Sequence, residues 1–181
     1  MLDINQYKTW KVRKRNDFPA ILDQLGYSVG AEIGVWRGEY SLNLLKNASG
    51  LKKLHLVDPW TGIGMSKPEV TPEEAYESVA DALKSFDGRY EIHRMLSEEA
   101  EFYFKVGSLD FVYLDASHDF ESVNEDLVMW VPKVRKGGLI FGHDYNNRGY
   151  KRVKNAVDEF FGEENVNKTE ESVASWFVGR I

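Results

Sequence analysis

The sequence contains no cysteine, which excludes a disulfide framework, a thiolate zinc site and a cysteine nucleophile. No apolar run approaches the roughly 18 residues that a membrane span requires. No secretory signal pattern opens the chain, so a cytoplasmic protein with no membrane partner is the expectation. Internal repeats, low-complexity tracts and an interdomain linker are lacking as well. Basic charge is in the minority, with 23 Lys and Arg against 29 Asp and Glu and a net charge of −6, which argues against a dedicated nucleic-acid binder. What remains, 181 residues of which 43% are apolar and 29% charged, fits one globular domain with a real core.

The chain is organised around Ser28–Lys46, SVGAEIGVWRGEYSLNLLK. Its pattern predicts a buried strand to Ile33, a turn framed by Gly34 and Gly38, and a helix from Glu39. Such a strand, turn and helix N-terminus form the usual ligand crevice of an open α/β sheet. One further absence narrows the ligand. The dinucleotide fingerprint needs a middle glycine for the backbone to approach a pyrophosphate, and here Val35-Trp36-Arg37 fill the interval. Glu32, at the strand end, would repel a phosphate. It suits a ligand that offers a cation or hydroxyl donors.

Before this stretch, residues 1–27 form an arm and a covering helix. Tyr7 and Trp10 alternate there with Lys8, Lys11, Arg13, Lys14 and Arg15, read as a solvated segment packing its aromatics on the domain, with a substrate-gating or dimerising arm as the alternative and an RNA-binding arm third. Pro19 and Gly26 bound a helix with Phe18, Ile21, Leu22 and Leu25 inward. After it, Leu51–Asp58 is a second strand, with Asp58 about twenty residues past Gly38, where a nucleotide-binding unit places its ribose carboxylate. Thr61–Val70 reads as a lid-like loop. Thr71, Pro72 and Glu74 make a capping box for a helix with Tyr76, Val79, Ala80 and Leu83 inward. Tyr90–Leu96 is a third strand, and Ser97 is read as the cap of a short helix. Leu109–Leu114 is the fourth strand. A helix with Val123, Leu127, Trp130, Val131 and Val134 follows, broken by Gly137-Gly138 before a fifth strand, Leu139–Gly142. A further helix carries Tyr150, Val153, Val157 and Phe160 inward, and alternation near Val173–Val178 suits a closing pair of strands. Strands alternating with helices predict a mostly parallel sheet between two helical layers.

Three strands end in Glu32, Asp58 and Asp115, and a fourth runs into Asp144 just past His143. In such a sheet these ends line one crevice, and clustered carboxylates are tolerated where something positive or donor-rich binds. The segments AEIGVWRGEYS, LVDPW, YLDASHDFESV and GGLIFGHDY, over roughly Val29–Tyr145, resemble class I S-adenosylmethionine-dependent methyltransferases, nearest the macrocin-type small-molecule O-methyltransferases. The resemblance implies a Rossmann-like three-layer αβα sandwich, mostly parallel with an antiparallel C-terminal strand. It implies that Glu32 and Gly34 border the methionine portion of S-adenosylmethionine and that Gly38 permits the turn. Asp58 would accept from the ribose hydroxyls with Pro59 and Trp60 nearby, and Leu96 and Ser97 would meet the adenine. Asp115 would approach the cofactor amino group. In metal-dependent relatives it also ligates a divalent cation with two residues after the fifth strand, here His143 and Asp144. The histidine departs from the usual acid or amide, shifts preference toward softer metals, and leaves metal dependence open.

His118, three residues after Asp115, is the candidate general base for a hydroxyl acceptor, since imidazole titrates near neutrality; its other reading is a cap or cofactor contact. His55 and His93 read as ordinary strand histidines. Trp36, Tyr40 and Trp130 read as core before pocket wall. The expectation is methyl transfer to a small-molecule acceptor. A non-enzymatic S-adenosylmethionine-binding or scaffold protein and a nucleotide-dependent oxidoreductase are the alternatives. A nucleic-acid methyltransferase rests only on the basic arm. A chain this short leaves room for a homodimer that completes the pocket.

Overall fold

A computed structural model describes residues 2–62, 70–146 and 152–180. Most of the Thr61–Val70 loop, together with Tyr150 and Lys151, lies outside them. In chain order the elements are α1 (Phe18–Leu25), β1 (Val29–Ile33), α2 (Glu39–Asn47), β2 (Lys53–Val57), α3 (Pro72–Leu83), β3 (Tyr90–His93), α4 (Ser97–Ala100), β4 (Leu109–Leu114), α5 (Phe120–Trp130), β5 (Val134–Gly142), α6 (Arg152–Phe161), β6 (Asn167–Lys168) and β7 (Trp176–Arg180). The seven strands form one sheet in the order β3-β2-β1-β4-β5-β7-β6. β1, β2, β3, β4 and β5 run parallel, and β7 is antiparallel to both β5 and β6. Helices α1, α2 and α3 touch one another in sequence, and α4, α5 and α6 form a second set. The expected Rossmann-like three-layer architecture with an antiparallel C-terminal strand is the one observed. No helix among the described residues is long and apolar enough to cross a membrane.

Local chemistry explains three of the helix ends. Gly26 ends α1 in the left-handed conformation. The Thr71 hydroxyl accepts from the Glu74 N–H while the Glu74 carboxylate accepts from the Thr71 N–H, the reciprocal box that fixes the start of α3. Asp119 accepts from the Ser122 N–H at 2.9 Å and caps α5. The arm packs as expected: Tyr7 is buried and its hydroxyl donates to the Asn165 carbonyl at 2.8 Å. Trp10 stacks on Phe177.

Several expectations are corrected. The inward stripe of α3 is Ala75, Val79 and Leu83, and Ala80 is exposed. α5 ends at Trp130, and β5 starts at Val134 instead of Leu139. Gly137-Gly138 therefore lie inside a strand. The β4–β5 register slips between Leu109 and Phe111, Gly137 has φ of 72°, and a Cβ on Gly138 would sit 2.5 Å from the Asp110 carbonyl. The glycine pair thus makes a bulge, which helical periodicity hides. Ser97 is the first residue of α4 and does not cap it; the Leu96 N–H is held by the Glu99 carboxylate. The Ser97 hydroxyl turns inward, donating to Asp126 and accepting from Trp130 Nε1. His55 and His93 face each other on neighbouring strands, Nδ1 to Nε2, at 3.0 Å. Burial lowers the pKa of both imidazoles, His55 to about 4.

Candidate active site

β1 lies between β2 and β4, so the chain leaves the sheet in opposite directions on either side of it, and a crevice opens at that switch point. A cavity of about 560 Å³ occupies it. Its wall includes Glu32, Gly34, Trp36, Tyr40, Asp58, Pro59, Trp60, Ser97, Asp115 and His118, with Arg15 reaching in from the arm. Gly34 has φ of 87°, and a Cβ there would lie 2.3 Å from the Asp115 carbonyl oxygen. The first turn thus rests directly on the end of β4. Only glycine permits that approach.

Asp58 organises the near side of the cavity. One carboxylate oxygen accepts from the N–H groups of Val35 and Trp36, both at 2.9 Å, and the other from Trp60 at 2.7 Å. Trp36 and Trp60 both adopt left-handed backbones, φ 50° and 48°, a strain of about 1–3 kcal/mol each. Charge-assisted bonds to one carboxylate offset that strain. The Trp60 indole donates to the Trp36 carbonyl at 2.7 Å and tightens the same pair of turns. One oxygen of Asp58 keeps a lone pair for a ligand hydroxyl.

Glu32 lies one residue before the end of β1 and is 1% exposed. Its carboxyl accepts from the Ser41 hydroxyl at 2.6 Å. Burial pushes its pKa up to about 8; the Ser41 bond opposes this only in part, and the charge of Asp115 adds to it. A buried acid held in this state is a ready partner for an amine or ammonium, which would stabilise its ionised form.

Across the cavity, His118 Nε2 lies 3.1 Å from Asp144 and 3.7 Å from Asp115. The two carboxylates raise the imidazole to about 10, so it is a cation at neutral pH. Asp144, despite partial burial, is held well below the usual carboxylate range by hydrogen bonds from His118 and His143. His143 Nδ1 is 3.1 Å from Asp144. Asp115, His118 and Asp144 bring one ligand atom each within 4.8 Å of one another. The structure therefore joins His118 to the two acids, while His143, bonded to Asp144, shares a small cavity with Asp115, His118, Val153 and Trp176. Leu96 is 43% exposed and Ser97 lines the cavity.

Sequence alone does not mark Arg15 or Tyr113 as belonging to the site. The Arg15 guanidinium lies 3.2 Å from the Tyr113 hydroxyl and 3.5 Å from Asp115, and sits over the Tyr40 ring. The basic cluster around residue 13 was the available signal. Its members differ: Lys8 donates to Asn165 and Arg13 pairs with Glu170, and Arg15 alone of the five lines the cavity. Trp36 and Tyr40 are pocket wall after all, while Trp130 is core.

The family of methyltransferase domains matches residues 31–145 of the chain. No curated protein sequence matches it. Solved structures share its fold. An O-methyltransferase from Bacillus cereus, solved with S-adenosylhomocysteine, is 15% identical, with 91% of this chain and 79% of that one covered at a TM-score of 0.64. The O-methyltransferase TomG of Streptomyces achromogenes, involved in tomaymycin synthesis and solved with S-adenosylmethionine, is 12% identical, covering 92% and 79% at 0.65. Spermidine synthase from Thermotoga maritima is 15% identical, covering 93% and 61% at 0.63. One fold thus carries differently named enzymes, and function has to be argued from the site.

Proposed function

This chain belongs to the family of methyltransferase domains and is an enzyme of that class, and from that premise we propose that it methylates a hydroxyl oxygen of a small-molecule acceptor, with S-adenosylmethionine as donor. The observation that carries the reading is the meeting of Glu32, Asp58 and Asp115 in one cavity beside the Gly34 turn. These groups fit the donor: Glu32 and Asp115 for its amino group, the remaining lone pair of Asp58 for a ribose hydroxyl. Pro59 and Trp60 border that end, and Gly38 lets the turn close. The Ser97 hydroxyl is engaged with Asp126 and Trp130, so the Leu96 side chain and the local backbone are left to meet the adenine.

When bound, S-adenosylmethionine supplies a methyl carbon on a sulfonium, open to in-line displacement. The protein's task is then to place the acceptor oxygen and take its proton. We assign the proton to His118, whose side chain is 55% exposed and so accessible to an acceptor. With Asp115 and Asp144 beside it, the imidazole is protonated at neutral pH, so turnover without metal rises with pH toward about 10. A second reading follows from the same triple. Asp115, His118 and Asp144 offer two oxygens and one nitrogen to a divalent cation, a mixed set that suits manganese or zinc better than magnesium. Such an ion would polarise the acceptor hydroxyl, and His143 would then orient Asp144 as its hydrogen-bond partner.

Calorimetric titration with S-adenosylhomocysteine, with and without manganese, on the native chain and Asp58→Ala tests the assignment. Micromolar binding that weakens in the variant supports it, and a gain with manganese supports the metal reading. No binding in either condition overturns the donor assignment. The oxidoreductase alternative is disfavoured by Val35-Trp36-Arg37 in place of a middle glycine. A nucleic-acid acceptor is disfavoured by an arm whose Lys8 and Arg13 bind the protein itself. We take the macrocin-type enzymes as the nearest subgroup, and residues 1–181 as one methyltransferase domain acting in the cytoplasm. We further take it to work as a homodimer; a monomeric mass by light scattering would dismiss the dimer.

A further inference from the structure

We propose that His55, Glu91 and His93 form a second metal site, for a divalent transition-metal ion such as zinc, on the β2–β3 edge of the sheet. None of the three lines the methyl-transfer cavity. Parallel pairing puts His55 directly opposite Glu91. Because side chains alternate along a strand, His93, two residues on, shares the face of Glu91. The three ligand atoms lie within 4.8 Å of one another.

The distances suit an ion. His55 Nδ1 and His93 Nε2 are 3.0 Å apart, and Glu91 sets one carboxylate oxygen 3.9 Å from the first and its other oxygen 3.9 Å from the second. Tetrahedral bonds of zinc to nitrogen and oxygen place neighbouring ligand atoms about 3.3 Å apart. The imidazoles must part slightly and the carboxylate must close by about half an ångström. Glu91 is half exposed and free to make that movement. The rings themselves are held: Phe104 meets His55 edge-on at 4.9 Å and His93 at 5.5 Å, with Tyr103 beyond. A wall of aromatics behind two imidazoles restricts their rotation and leaves the nitrogens turned toward each other and the carboxylate.

Donor chemistry selects the ion. Two imidazoles and one carboxylate suit zinc, cobalt, nickel or copper, whereas magnesium and calcium prefer all-oxygen shells. Lys53 Nζ, 3.8 Å from Glu91, is the competing cation and is exposed enough to move aside. A bound ion would clip the four-residue edge strand β3 to β2. The Asp58 N–H donates to the His93 carbonyl at 3.3 Å, so the clip sits one backbone hydrogen bond from the residue that ties the cavity turns together.

Cobalt titration followed by visible absorption, with zinc as competitor, tests the site. The full chain carrying Asp115→Asn and Asp144→Asn should still bind one equivalent of cobalt with the spectrum of a low-coordinate nitrogen–oxygen site, displaced by zinc. His93→Gln should abolish that signal. Glu91→Gln, at an exposed position that leaves the fold intact, should weaken binding on the order of tenfold or more. Absence of cobalt and zinc binding at millimolar concentration overturns the proposal. So does binding that Glu91→Gln and His93→Gln leave unchanged while the Asp115 and Asp144 substitutions remove it.

Discussion

On the β1–β2 side of the cavity, one carboxylate, Asp58, gathers three backbone N–H groups from two turns, and a single glycine lets those turns rest on β4. On the β4–β5 side the wall is Arg15, Asp115 and His118, held by side chains that meet over long sequence distances: Arg15 with Tyr113 and Asp115, His118 with Asp144. The first side is backbone architecture, in which one changed residue moves the whole turn. The second is a set of partly exposed charges, in which a changed residue alters protonation and affinity while the frame stays in place. The two sides should therefore respond to substitution on different scales.

The largest effect is expected at Gly34. An alanine there meets the Asp115 carbonyl and must also adopt φ of 87°, a strain and overpacking cost of about 3 kcal/mol or more. Urea denaturation should show a lower midpoint, and binding of S-adenosylhomocysteine should vanish. Asp58→Ala comes next. It strands the N–H groups of Val35, Trp36 and Trp60 and leaves two left-handed tryptophans unsupported, a loss of about 2–3 kcal/mol. Asp58→Asn, which keeps an acceptor oxygen, should recover part of it. If either substitution left stability unchanged, the contrast between a backbone side and a side-chain side would collapse.

That contrast also explains what was legible in the sequence. Glycines at Gly34 and Gly38 and acids at Glu32, Asp58 and Asp115 announce themselves because each is fixed by its own strand or turn, and the structure gathers Glu32, Gly34, Asp58 and Asp115 around one cavity. Arg15 was invisible as a site residue because its partners lie about a hundred positions away, and no periodicity encodes such a meeting. Ser97 was misjudged for a related reason. A serine before a short acidic run has the look of a cap, and only the packing of α5 shows its hydroxyl bonded to Asp126 and Trp130. The Gly137-Gly138 bulge was hidden because a glycine pair after an apolar helix face reads as a stop. Pairing register, which places His55 opposite Glu91, is a tertiary fact as well.

Near pH 6 a smaller effect on stability, about 2 kcal/mol and dependent on pH, is expected at Glu32. Its carboxyl titrates at about 8 in the fold against 4.5 for an ordinary glutamate. Between those values the unfolded chain has lost a proton that the folded chain retains, so stability falls as pH rises, by up to about 1.4 kcal/mol per unit. It is fully present below about pH 4.5. Glu32→Gln should flatten the denaturation midpoint over that window in the cofactor-free protein. Binding of a cationic amine should drive Glu32 to ionise and release a proton. The calorimetric enthalpy of S-adenosylhomocysteine binding at pH 7 should thus depend on the ionisation heat of the buffer in the native chain and lose that dependence in Glu32→Gln. A flat midpoint in both proteins would show the acid to be ionised already and matched by a partner within the wall.

The smallest effect on the fold is expected at Arg15, where the comparison is sharpest. Its side chain is 30% exposed and its pairing with Asp115 is long, at 3.5 Å, so Arg15→Ala should cost less than about 1 kcal/mol and lower the melting temperature by about 2–4 °C at most. Because the guanidinium neutralises Asp115 from the acceptor side, its loss should leave S-adenosylhomocysteine affinity unchanged or slightly tighter. The acceptor KM should rise while kcat stays within about twofold, the signature of lost ground-state binding. Arg15→Lys, which keeps the charge and loses the planar fork over Tyr40, should fall between the two. An arm that only covers the sheet would lower the melting temperature and leave KM unchanged; a rise in KM identifies Arg15 as a group that meets the acceptor.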